Sequence, residues 1–145
     1  MAVYPSEVSD VSPKIVAKLR LICLGLPEAY EEEAWVGTRW MVRKRNFAHV
    51  LEIDGGWPPA YARAAGTDGP VVVVTFRTSD LLYGAFREQG PRFFQAEWGT
   101  RWGTKVVGVK LGKRVDWDEL EVLIAESYRL LAPKKLAELS TRGRS

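Results

Sequence analysis

Residues 71–76 read Val-Val-Val-Val-Thr-Phe, and no other stretch of this chain restricts the fold so tightly. Consecutive β-branched side chains crowd the turns of a helix but pack well on a pleated surface. The run is apolar at both parities, so it reads as a strand buried on two faces, at the centre of a sheet. A central strand needs neighbours, and the flanking sequence supplies them. Residues 35–53 read as two strands, with Arg39, Met41 and Arg43 on one parity and Trp40 and Val42 on the other. Arg43-Lys44-Arg45-Asn46 forms the tip between them, and Asp54-Gly55-Gly56 ends the return strand. Residues 93–98 and 105–111 form a second hairpin, joined through Gly99-Thr100-Arg101-Trp102-Gly103.

Helix signals surround these strands. Ser12-Pro13 opens a first helix, Ile15, Val16, Leu19, Ile22 and Cys23 make its apolar stripe, and Gly25 and Pro27 close it. A short helix over 81–89 follows a Ser79 or Asp80 cap, and 60–65 reads as a helical turn. Asp116 and Glu119 form a capping box for the best helix, whose one face carries Trp117, Leu120, Leu123, Ile124, Ser127 and Leu131. Tyr128, one step off that face, is expected to pack and to hydrogen-bond the sheet through its hydroxyl. Pro133 interrupts, 134–139 add a further turn or two, and 140–145 form a basic tail. This order predicts an α+β fold, an antiparallel β-sheet packed on one face by N-terminal and C-terminal helices. Residues 1–145 make one domain with a core at about 12–139, and no repeat or linker is visible.

The chain lacks the residue clusters that most enzymes need. Its 145 residues include one histidine, His49, and one cysteine, Cys23. A lone cysteine forms no internal disulfide and suits a reducing compartment. His49 shares parity with Phe47 and Leu51 and reads as a structural imidazole, while Cys23 belongs to a buried stripe where thiols are inert. A Cys–His nucleophilic pair would need the two to meet in space. Glu28 and Glu31, Glu32 and Glu33 form an acidic patch before the first strand; neighbouring glutamates diverge, so a solvated face explains them better than a metal site. Gly66-Thr67-Asp68-Gly69-Pro70 lacks the Lys-Ser/Thr of a phosphate-cradling loop and is a turn. The longest apolar stretch near the N-terminus is broken by Lys18 and Arg20, and no signal-peptide pattern is evident. The expectation is a cytoplasmic, non-enzymatic protein with no catalytic residues, metal or cofactor and no membrane partner.

Charge placement is more informative than the net value of +3. Residues 35–51 contain Arg39, Arg43, Lys44 and Arg45 and no acid; residues 99–114 contain Arg101, Lys105, Lys110, Lys113 and Arg114 and again no acid. Such segregation creates a local positive face on a nearly neutral protein. Trp102, Thr104, Val106, Gly108 and Lys110 share a parity, which would present a tryptophan beside a lysine on a half-wet face. Charged residues on an open sheet face also serve simply as solubilising groups.

Several motifs, taken in order, resemble the MmcQ/YjbR family of small bacterial proteins. They are Leu26-Pro27-Glu28-Ala29-Tyr30 after the first helix, Arg45-Asn46-Phe47-Ala48 at a strand start, Asp116-Trp117-Asp118-Glu119-Leu120, and Glu126-Ser127-Tyr128-Arg129-Leu130-Leu131-Ala132. The similarity runs from about Ile15 to Leu139. It departs from the family pattern in lacking a lysine directly before Phe47-Ala48 and in the Trp-Gly-Thr-Arg-Trp-Gly segment at 98–103. The resemblance implies a frataxin-like or secretion-chaperone-like α+β fold and DNA binding through a double wing, with no catalytic residue. The two basic hairpins are the natural wings: Arg39, Arg43, Lys44 and Arg45 from one, Lys105, Lys110, Lys113 and Arg114 from the other. Arg101 and Trp102 would add a shape or stacking contact. Double-stranded DNA is the expected partner. The alternative is a protein-interaction or chaperone-like domain that holds a protein partner or pairs with itself.

Overall fold

The computed structural model describes residues 11–142. Its strands are β1 (Tyr30–Glu33), β2 (Thr38–Val42), β3 (Arg45–Ile53), β4 (Val71–Ser79), β5 (Phe93–Gln95) and β6 (Thr104–Leu111). Its helices are α1 (Pro13–Leu24), α2 (Pro59–Ala65), α3 (Asp80–Arg87), α4 (Trp117–Leu131) and α5 (Lys134–Arg142). All six strands form one sheet in the order β1-β2-β3-β4-β6-β5, with every neighbouring pair antiparallel. The valine run becomes β4, between β3 and β6, where its two parities serve two cores. Val74 faces one and Val73 the other, both fully buried.

The larger core lies under the terminal helices. Leu19 and Cys23 of α1, and Leu120, Ile124, Tyr128 and Leu131 of α4, pack on Trp40, Ala48, Val50, Val74, Phe76 and Val107. The α4 cap is formed as expected, Asp116 Oδ1 accepting from the Glu119 N–H at 3.0 Å, an arrangement worth about 1 kcal/mol. The reciprocal half of the box is absent because Glu119 accepts two bonds from Arg92 instead, at 2.6 and 2.7 Å. On the opposite face a smaller core joins Ala62 and Ala65 of α2 to Leu51, Ile53, Val73 and Phe94. The Phe94 ring occupies the space over Gly108, where a Cβ would stand 2.1 Å from the ring Cζ. Among the described residues, no helix is long and apolar enough to cross a membrane.

The sequence reading is corrected at the acidic patch and at the tail. The acidic patch is partly an edge strand: β1 pairs with β2 from Tyr30↔Met41 to Glu33↔Thr38. Glutamates are poor strand formers, but these find cross-strand partners, Glu32 opposite Arg39 and Glu31 accepting from the Trp40 indole N–H at 2.9 Å. The basic tail is also shorter than 140–145. Helix α5 runs to Arg142, seats Leu136 in the larger core and buries Ser140, whose hydroxyl donates to the Ala137 carbonyl at 2.7 Å. Residues 143–145 lie outside the described residues.

One irregularity shapes the end of the sheet. The β2–β3 register passes from Trp40↔Ala48 to Met41↔Asn46, leaving Phe47 as an extra, bulged residue. The bulge turns Phe47 into the larger core, edge-on to Tyr128 with ring centroids 5.4 Å apart. The β3–β4 pairing stops at Ala48↔Phe76. Beyond it, the buried Ser127 hydroxyl of α4 accepts from the Arg77 N–H and donates to the Phe47 carbonyl, both at 2.7 Å. A serine thus replaces a strand-to-strand contact. The Tyr128 hydroxyl does not reach the sheet as expected; it donates to the Pro27 carbonyl at 2.6 Å.

Candidate nucleic-acid interface

Strand β4 decides where the basic loops go. The start of β3 lies beside its end (Ala48↔Phe76), and so does the start of β6 (Ser79↔Thr104). The 43–44 tip and the 99–103 loop therefore occupy the same end of the sheet. Trp102 joins them, with the Arg45 guanidinium 5.4 Å and the Arg77 guanidinium 4.8 Å from its ring centroid. Arg77 also donates to the Gly99 carbonyl and, at 3.3 Å, to Thr104 Oγ1. Burial, and then the charge of Arg101, lowers the Arg77 pKa below its ordinary value.

The first tip is strained. Arg43 and Lys44 have φ of 49° and 65°, the left-handed pair that a two-residue I′ turn requires and that Asn-Gly normally supplies. Side chains other than glycine cost about 1 kcal/mol per residue in that region. Two cations are held at the tip despite this cost, the kind of local conflict that concentrates at functional sites.

The ten residues singled out from sequence do not share one surface. Arg39 pairs with Glu32 at 2.6 Å, Arg43 with Glu28 at 3.0 Å, and Lys105 with Asp80 at 3.8 Å. Lys110, Lys113 and Arg114 are at the far end of the sheet, since Lys110 registers with Val73 near the start of β4. Lys110 lies six positions along β6 from Thr104, about 20 Å of strand. The expected pairing of Trp102 with Lys110 is accordingly not formed, and the face between them is covered by Phe94 over Gly108. Lys44, Arg45 and Arg101 remain at the loop end, and among the described residues none of the three forms an ion pair. Arg77 was not singled out from sequence. Its signal was parity: it follows Thr75 by two residues on a strand whose reading stopped at Phe76.

Other chemistry is engaged in structure. His49 Nε2 donates to the Val36 carbonyl at 2.6 Å and Nδ1 faces the Tyr61 hydroxyl at 3.4 Å. Burial depresses its pKa below 6.5, and the Arg39 charge acts in the same direction. Cys23 is fully buried in the opposite core, and burial, then the Glu31 charge, pushes its thiol well above the ordinary value. The two lie on opposite faces of the sheet. Tyr128 is pushed up to about 12 by burial and the nearby Glu28 charge. Glu28, Glu31 and Glu32 each take a different arginine, and among the described residues no group of three or more metal-ligating side chains is assembled.

A family model described as YjbR matches residues 24–130, most of the chain. The chain belongs to the YjbR family. No curated protein matches it. The match to YjbR spans both basic loops, the bulge at Phe47 and the Ser127–Tyr128 step of α4.

Proposed function

We infer that this YjbR-family protein is a non-enzymatic DNA-binding module of the bacterial cytoplasm that contacts duplex phosphates from one end of its sheet. Lys44, Arg45 and Arg101 make the contacts, and Arg77 holds Trp102 in place between the loops. The observation that supports this reading is the Arg45–Trp102–Arg77 stack, which ties two chain-distant basic loops into one charged surface. Phosphate contacts release counterions, so log K falls with log salt by about 0.9 per contact. Three contacts give a slope of about −2.7. Fluorescence anisotropy with a labelled duplex across a salt series tests it; a slope near zero, or no binding at low salt, overturns it.

A second reading, docking of a protein partner, draws on Leu81, 88% exposed, and Leu82 and Leu130, also exposed, beside a groove between α3 and α4. A pulldown partner lost on Leu81→Ser, with the DNA affinity of that variant unchanged, would favour it.

A further inference from the structure

A cleft of about 270 Å³ opens on the face of the sheet that carries α2. Its floor is a row of register partners across three strands, Arg39, His49 and Thr75. Its walls are aromatic. Tyr61 stands against Trp98 with ring centroids 4.9 Å apart, and Trp35 lines the opening while 84% exposed, far more than an indole with only a packing role. Two arginines line the cleft, Arg39 and Arg77, and among the described residues no carboxylate does.

The polar groups differ in how fully they are used. His49 is saturated by Val36 and Tyr61. Arg39 is held by Glu32. Among the described residues Arg77 has no carboxylate partner, and its side-chain hydrogen bonds leave from Nη1 alone, which keeps Nε and Nη2 open to a further acceptor. The partly desolvated Arg77 guanidinium is met only by neutral groups, the Gly99 carbonyl, Thr104 Oγ1 and the Trp102 ring, and a ligand anion would add the stronger charge-assisted bonds. The Tyr61–Trp98 pair meets edge-on, at 67° between planes, and aromatic walls of this kind favour a flat ring that can lie against one face or edge. The volume is at the small end for ligand pockets and limits the ring to one or two fused cycles.

We propose that this cleft binds a small planar ring carrying one anionic group, with the ring against Tyr61, Trp98 and Trp35 and the anion on Arg77. A free aromatic carboxylate and a nucleotide both carry this chemistry. The site contains none of the three phosphate contacts, Lys44, Arg45 and Arg101, and touches that surface only through Arg77, which holds Trp102.

Isothermal titration calorimetry with indole-3-acetate and with adenosine monophosphate distinguishes the two sources, and indole and inorganic phosphate serve as the ring-only and charge-only controls. Saturable binding of either charged ring is expected in the range of roughly 0.1–1 mM, typical of ligands this size, with both controls at least about tenfold weaker. Arg77→Gln should weaken binding about tenfold. Trp35→Ala should weaken it severalfold with Tm unchanged, since the side chain is mostly exposed, and should leave duplex affinity intact. Lys44→Ala should do the reverse, weakening duplex binding and leaving the calorimetric signal unchanged. Absence of binding by both charged rings, or equal binding of either control, overturns the proposal.

Discussion

Replacing Arg43-Lys44 by Asn-Gly should make the protein more stable and a poorer DNA binder at once. Both residues adopt left-handed backbone, at φ 49° and 65°, and relief of that strain is worth about 1 kcal/mol each. Against this stand the Arg43–Glu28 pair, more than half exposed on both sides and worth about 0–1 kcal/mol, and the extra freedom glycine gives the unfolded chain, about 0.5–1 kcal/mol. The net gain is about 0–1.5 kcal/mol, a rise in Tm of up to about 5 °C at this chain length. Binding changes in the other direction. Loss of the Lys44 contact moves the salt slope from about −2.7 to about −1.8 and, at about 0.1 M salt, lowers affinity about eightfold. Thermal melts and anisotropy salt series on the same preparation give both numbers. A less stable variant would refute the strain argument; an unchanged slope would take the tip out of the interface.

Ser127→Ala should cost about 2–4 kcal/mol in urea unfolding, because it orphans the buried Arg77 N–H and Phe47 carbonyl together. A loss under about 0.5 kcal/mol would mean that the two strands close up and bond directly. Gly108→Ala should cost about 1–3 kcal/mol, since the new methyl enters the space of the buried Phe94 ring; an unchanged urea midpoint would contradict this. His49 titrates lower in the folded protein than its ordinary 6.5, so between those two values the unfolded chain binds more protons. Its contribution to stability is complete above about 6.5 and is lost as pH falls through the folded pKa. His49→Gln should flatten the pH dependence of the unfolding free energy below about 6.5, and an identical profile would show that His49 is not responsible.

Features set by neighbours in sequence were readable. The β-branched run marked β4 and Asp116 marked the start of α4, because each is a local preference of backbone or side chain; the clustered cations marked the β2–β3 tip through polarity alone, against their backbone preference. Features set by distant partners were not. Strand β1 is stabilised by Glu32 meeting Arg39 and Glu31 meeting Trp40 and Arg20, so its identity resides in other segments. Glu32 also neutralises Arg39, and Glu28 neutralises Arg43, cations that looked unopposed within 35–51. The separation of Lys110, Lys113 and Arg114 from Trp102 follows from strand length and direction, which charge counting along the chain ignores. Arg77 was overlooked because β4 continues to Ser79, past the apolar run that announced it.

The Ser127 hydroxyl bridges a carbonyl 80 positions earlier and an N–H 50 positions earlier. A chain made from its N-terminus therefore presents both basic loops before the residue that spaces the strands between them exists. Until α4 is in place, the end of the sheet can close in a different geometry, with Arg77 aimed elsewhere. The order of synthesis thus delays this loop surface until the last long helix has docked, and a nascent chain carries scattered charges in place of a shaped surface.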